Sequence, residues 1–234
     1  VSTLDYARQF GMLVQGIISS VLATIMIPNL SKKFAQRDQL GLFKAINDSL
    51  STTFVALSIT TTFLIGSSFP LTHFFFDQGN LTNFQLNEIS LLMSLYGFAL
   101  IAVVLYLFFG YLLLSTEKGK VYAFWGVIAQ ILVIVINILF VNYFGIFIFP
   151  ISFGVAHFII AIVLFFYADD RYKFKLLKSV LVKSGVVLII SLLLYILNIN
   201  IKVRYAEKAF SICGRKYEAG TLIVLKTSNA SNWA

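Results

Sequence analysis

The chain has 234 residues, of which 59% are apolar and only 12% charged, against about 25% charged in an ordinary soluble domain. A chain of this length has too little interior to hide 24 Phe together with so many Leu and Ile, so a water-soluble domain is excluded and most of that surface must meet lipid or another helix. The net charge of +8 does not mark a nucleic-acid binder, because the Lys and Arg residues stand in short blocks between long uncharged stretches.

A helix needs roughly 20 apolar residues to cross the hydrocarbon, where lipid offers no partner to a free backbone amide. Six stretches reach about that length: 10–30, 50–69, 89–114, 121–144, 146–167 and 180–197. They predict an all-α polytopic membrane domain over residues 1–200 with about six transmembrane helices, followed by a polar tail, 201–234. In the second stretch Thr60, Thr61 and Thr62 are expected to bond back to carbonyls one turn earlier and bend the helix. Pro28 and Pro70 lie near predicted ends and are expected to terminate helices. Asn142, Tyr143 and Gly145 predict a tight hairpin between the fourth and fifth stretches, with Gly145 free to take positive φ. In the tail, Arg215 to Thr227 reads as strand, turn at Gly220 and strand, a lone hairpin expected to be weakly ordered. The single cysteine, Cys213, excludes an internal disulfide framework or a Cys-rich metal site.

Charge sets the orientation. Lys32, Lys33, Arg37 and Lys44 follow the first stretch, Lys118 and Lys120 the third, and Arg171, Lys173, Lys175, Lys178 and Lys183 the fifth; residues 71–88 have no Lys or Arg. Basic connections stay cytoplasmic, so the odd-numbered connections are expected inside, and the N-terminus and the tail outside. The tail dissents, carrying Lys202, Arg204, Lys208, Arg215, Lys216 and Lys226: either a seventh helix is missing and the tail is a foreign end, or the tail translocates despite its charge, as domains can.

Several polar residues recur inside the apolar stretches. Arg8, Met12, Gln15 and Ser19 are spaced to share one helix face, beside a small stripe of Gly16, Ser20 and Ala23 or Thr24. The first face reads as the lining of a water-filled cavity and the second as a close helix contact, although packing alone would account for both. Gln130 and Asn137, seven apart, share a face where buried amides need partners. His157 lies mid-membrane, a functional candidate by its ionisability and equally a neutral packing residue. No carboxylate pair, HExxH, GxSxG or phosphate-binding glycine loop points to an enzyme, and no cofactor or metal is expected.

Two motifs go further. Tyr6-Ala7-Arg8 through Met26-Ile27-Pro28-Asn29-Leu30-Ser31-Lys32 resembles the eighth helix of MurJ-type lipid II flippases, with its I-x-x-P-x-L-S-K ending. Pro70-Leu71-Thr72 followed by Phe76-Asp77-Gln78-Gly79-Asn80-Leu81-Thr82 is similar to the same family's P-L-T…F-x-x-G-x-F-T segment. The resemblance covers residues 1–198 and implies helices eight to thirteen of a fourteen-helix fold in the multidrug, oligosaccharidyl-lipid and polysaccharide exporter superfamily. It implies a multi-pass protein of the bacterial cytoplasmic membrane that translocates a lipid-linked pyrophosphate oligosaccharide, the peptidoglycan precursor. The N-terminal lobe would be supplied from outside these residues, and the tail from Lys202 onward does not resemble the family's last helix, which leaves a foreign origin open. The family's cavity arginine falls on Gln9, with Arg8 one position away, so both join Gln15, Ser19, Gln130, Asn137 and His157 as substrate-cavity candidates. Coupling to the membrane potential or to a cation stays open. Alternatives are an O-antigen or capsule flippase or a drug/cation antiporter of the same superfamily, and a membrane scaffold without transport.

Overall fold

The computed structural model describes residues 2–76, 81–168, 178–198 and 200. Among these it is helical throughout, with no strand: α1 Ser2–Ala35, α2 Gln39–Gly66, α3 Ser68–Phe76, α4 Asn83–Ser115, α5 Gly119–Phe144, α6 Ile148–Phe166 and α7 Lys178–Asn198. The tail proposed as a β-hairpin lies outside the described residues. Five helical stretches are long and apolar enough to cross a membrane, the longest running Gly119–Phe166. That one folds back on itself. Ser152 Oγ donates to Asn137 Oδ1 over 2.6 Å, whereas residues 15 apart on a continuous helix would be separated by about 22 Å. The reversal is a 3-10 turn, Gly145–Phe147, entered at Gly145 with φ +56°, a backbone state that favours a residue without Cβ.

Local chemistry sets the helix ends. Asp38 caps α2, accepting from the Gly41 amide at 2.8 Å and from Lys33 Nζ at 3.0 Å. Both contacts favour the ionised carboxylate, the backbone bond most, and hold its pKa below the ordinary value. Thr82 of the second motif opens α4 with a reciprocal cap: its hydroxyl accepts from the Gln85 amide while Gln85 Oε1 accepts from the Thr82 amide at 2.9 Å. Gly79 of the same motif lies outside the described residues.

The prolines depart from expectation. Pro28 sits inside α1, which continues to Ala35 with the motif's Ser31 and Lys32 near its end; one missing amide costs the helix a bond without ending it. Pro70 is the third residue of α3, in the first turn, where an N–H has no intrahelical acceptor. The break it accompanies falls earlier, at Ser67. Thr60 and Thr61 do bond back, to Ala56 and Leu57 carbonyls at 2.9 and 2.7 Å.

Helix α4 is the centre of the bundle, because small residues let its neighbours approach. A Cβ on Gly97 would meet Ile65 of α2, one on Gly110 the Tyr122 ring of α5, and one on Gly154 of α6 the Cα and Cβ of Ala99. Ser68 and Ser94 share a buried 2.8 Å hydrogen bond beside the α2–α3 break. Tyr96 lies against Gly11, and the Tyr111 hydroxyl bonds Ser19 Oγ at 2.6 Å, so α1 and α4 run parallel. α4 and α6 also run parallel, with Ala99 against Gly154 and Phe109 against Phe165. The start of α1 meets the end of α3 through Tyr6–Phe76 and Phe10–Phe75. The α1–α2 and α4–α5 turns and the end of α6 therefore share one end of the bundle, where Lys118 Nζ donates to the Tyr167 carbonyl at 2.8 Å. Lys32, Lys33 and Arg37 beside the first turn and Lys118 and Lys120 beside the second are thus gathered at that end, while Lys183 of α7 donates to Ser51, partway along α2.

Candidate functional site

Between α1, α4, α5 and α6 lies a cavity of about 460 Å³. Helix α1 contributes Arg8, Met12 and Gln15, α5 contributes Gln130 and Asn137, and α6 contributes His157. Steps of four and three on α1 put its three on one side, and the seven-residue step does the same for the two amides of α5. Arg8 joins no ion pair among the described residues, and no side-chain hydrogen bond engages Arg8, Gln15 or Gln130 there. Each is a donor in want of an acceptor, and among the described residues the wall contains no carboxylate. The cavity therefore suits a ligand with negative charge and many oxygen acceptors.

The other two polar groups are anchored. Asn137 is held by Ser152, tying α5 to α6. His157, 3% exposed, has Nδ1 at 2.7 Å from the Phe153 carbonyl; a carbonyl only accepts, so Nδ1 carries the hydrogen and Nε2 the lone pair. Its ring packs edge-on to Tyr106, centroids 5.0 Å apart, and on Phe153 at 4.4 Å. It is at once a packed residue and part of the wall.

The remaining candidates fall elsewhere. Ser19 pairs with Tyr111 and does not line the cavity. Gln9 is exposed and off the wall, which takes Arg8 in its place. The small stripe expected at a helix contact is exposed among the described residues at Gly16, Ser20 and Thr24: a Cβ on Gly16 would meet nothing within 4 Å, and the Ser20 and Thr24 hydroxyls close onto the Gly16 and Ser20 carbonyls at 2.8 Å each. Helix α4 packs on the roughly opposite side of α1, through Gly11 and Ser19.

Tyr96 and Tyr106, which the sequence reading passed over, also line the cavity. Tyr106 stacks with Tyr122 at 5.5 Å, and Tyr122 lies 6.4 Å from Tyr111, so an aromatic hydroxyl layer borders the cavity toward the basic end. Tyrosines favour the membrane interfaces; several in mid-helix were the signal.

A family model described as lipid II flippase MurJ matches residues 1–212. The chain belongs to the MurJ lipid II flippase family. The match runs past residue 198, where the motif resemblance stops, and takes in the first part of the tail. A solved structure titled lipid II flippase MurJ, inward closed conformation, aligns over 88% of this chain and 48% of its own, with a TM-score of 0.62 and 22% identity. The chain thus spans about half the length of that MurJ structure and shares its fold over that half. No curated protein matches the sequence.

Proposed function

We propose that these residues form one lobe of a flippase that moves a lipid-linked pyrophosphate oligosaccharide of the lipid II type across the bacterial inner membrane. The observation that carries this reading is the cavity in which Arg8, Gln15, Gln130, Asn137 and His157 converge from three helices. A polar headgroup crossing hydrocarbon needs such a hydrated, donor-rich path, while a prenyl tail can stay in lipid beside the bundle. The basic end would face the cytoplasm by the positive-inside rule. The inside-negative potential then favours outward movement of an anionic headgroup, by about 2.3 kcal/mol per charge per 100 mV. A wall with Arg8 and, among the described residues, no carboxylate fits that driving force better than a cation held in this cavity. The other lobe, from the rest of a longer chain, would close the path.

The test is flipping of a fluorescent lipid-linked pyrophosphate sugar by the full-length protein in vesicles. Arg8→Ala is expected to slow it about tenfold or more, the worth of a hydrogen bond to a charged group, whereas Phe124→Ala on the exposed face of α5 leaves the rate unchanged. Flipping at the wild-type rate by an Arg8→Ala, Gln130→Ala double variant would remove the cavity from the path.

A further inference from the structure

Among the described residues of the cavity wall one side chain is of the type whose ordinary titration range crosses neutrality. The other polar side chains there are the Arg8 guanidinium, the Tyr96 and Tyr106 phenols, and the Gln15, Gln130 and Asn137 amides, none of them an imidazole. That leaves His157. From α4 it faces Tyr106, with Tyr122 of α5 behind that ring; α5 offers only amides, and α1 offers Arg8. Asp5 on α1 is outside the wall, as is His73 on α3. Because Nδ1 is committed to the Phe153 carbonyl, Nε2 is the atom that can gain a proton.

We propose that His157 is a proton-binding site linked to the anionic ligand of this cavity, so that headgroup and proton bind together. The proposal rests on the headgroup reading above. An imidazolium alone in a largely apolar wall lacks a compensating charge. An anion seated in the cavity supplies it, and by reciprocity the proton strengthens the anion's binding by the same factor. The proton comes from solvent and adds to the Nε2 lone pair; no other bond forms or breaks. Asn137 and Ser152 fix α5 against α6, which keeps the imidazole at the wall as the anion arrives. A protein so built would hold an anionic headgroup more tightly on the more acidic side of the membrane.

The experiment uses the full-length protein in detergent and a prenyl phosphodiester, whose one charge does not itself titrate in the range scanned. Affinity is measured from about pH 8 to about pH 5.5, the window in which histidine titrates, and proton uptake is measured by calorimetry in buffers of different ionisation enthalpy. Wild-type affinity is expected to rise about tenfold across that window, with up to one proton taken up per anion. Arg8→Gln should bind more weakly throughout yet keep the rise, and His157→Gln should lose the rise. A wild-type profile flat in pH, no proton uptake, or an undiminished rise in His157→Gln would overturn the linkage. Because uptake is read on the wild type, the result stands even if the His157 variant does not fold. Absence of phosphodiester binding at every pH would instead overturn the headgroup reading and the linkage with it.

Discussion

Helices α4 and α5 are neighbours joined by a short turn and are comparably apolar, yet α4 buries 22 of its 33 residues while α5 buries one of 26, Ala129. The two sequences differ less in hydropathy than in where small residues fall. Gly97, Ala99 and Gly110 on α4 admit α2, α6 and α5 from three directions. On α5 the large side chains Phe124, Ile131, Ile134 and Ile138 stand exposed, as lipid-facing side chains do. Apolar surface in a membrane protein is thus of two kinds, and only the kind packed against protein carries the specificity of the fold, since lipid tails are as apolar as leucine.

The largest expected effect tests that distinction directly. Phe108 on α4 is fully buried and Phe124 on α5 is 62% exposed. Phe108→Ala is expected to lose about 3–5 kcal/mol of stability, and Phe124→Ala to stay within about 0.5 kcal/mol, read as thermal unfolding of the full-length protein in detergent. Equal losses would erase the difference between the helices. Next comes the α4–α6 contact: Gly154→Leu forces side-chain atoms against the Ala99 backbone, at a cost of about 1–3 kcal/mol, whereas Gly16→Leu on the open side of α1 should be tolerated by this lobe's own packing. A smaller loss, about 1 kcal/mol, is expected from Tyr111→Phe, which removes the Ser19 bond; Ser19→Ala in that background should add nothing.

The smallest effect lies outside the membrane. The Asp38 carboxylate has its pKa lowered by the Gly41 amide and then by Lys33. Its stabilising contribution is therefore fully present above the unfolded carboxylate value of about 3.9 and is lost as pH falls through the lower folded value. Asp38→Asn should flatten the acid limb of a pH–stability curve slightly and leave the neutral region unshifted in shape.

Much of this was legible from spacing and charge. The long uncharged stretches located the membrane helices, because hydrocarbon tolerates nothing else, and the basic blocks anticipated which turns share an end. The α1 face of Arg8, Met12 and Gln15 and the α5 pair Gln130 and Asn137 were visible as periodicities. Whether those faces meet is a matter of helix rotation and neighbour identity, which periodicity leaves free; α4 supplied both by packing α1 and α6 on either side of itself. The same limit explains Gly16, Ser20 and Thr24: small residues permit a close approach without saying that one occurs. Pro28 misled because a proline costs one hydrogen bond, and a helix with turns on both sides survives it. Tyr96 and Tyr106 were passed over because aromatics in a Phe-rich chain look like packing until their hydroxyls are placed.

The hairpin turn at Gly145 bears on biosynthesis. Residues 121–166 contain no Asp, Glu, Lys or Arg, and each residue of the tip from Val141 to Gly145 is exposed. A tip without ionised groups can be carried through the hydrocarbon without dragging a charge, so α5 and α6 are suited to enter the bilayer together as a preformed pair, with Lys118 and Lys120 staying behind as the stop. The same exposed tip is the place where an inserted epitope would least disturb the lobe.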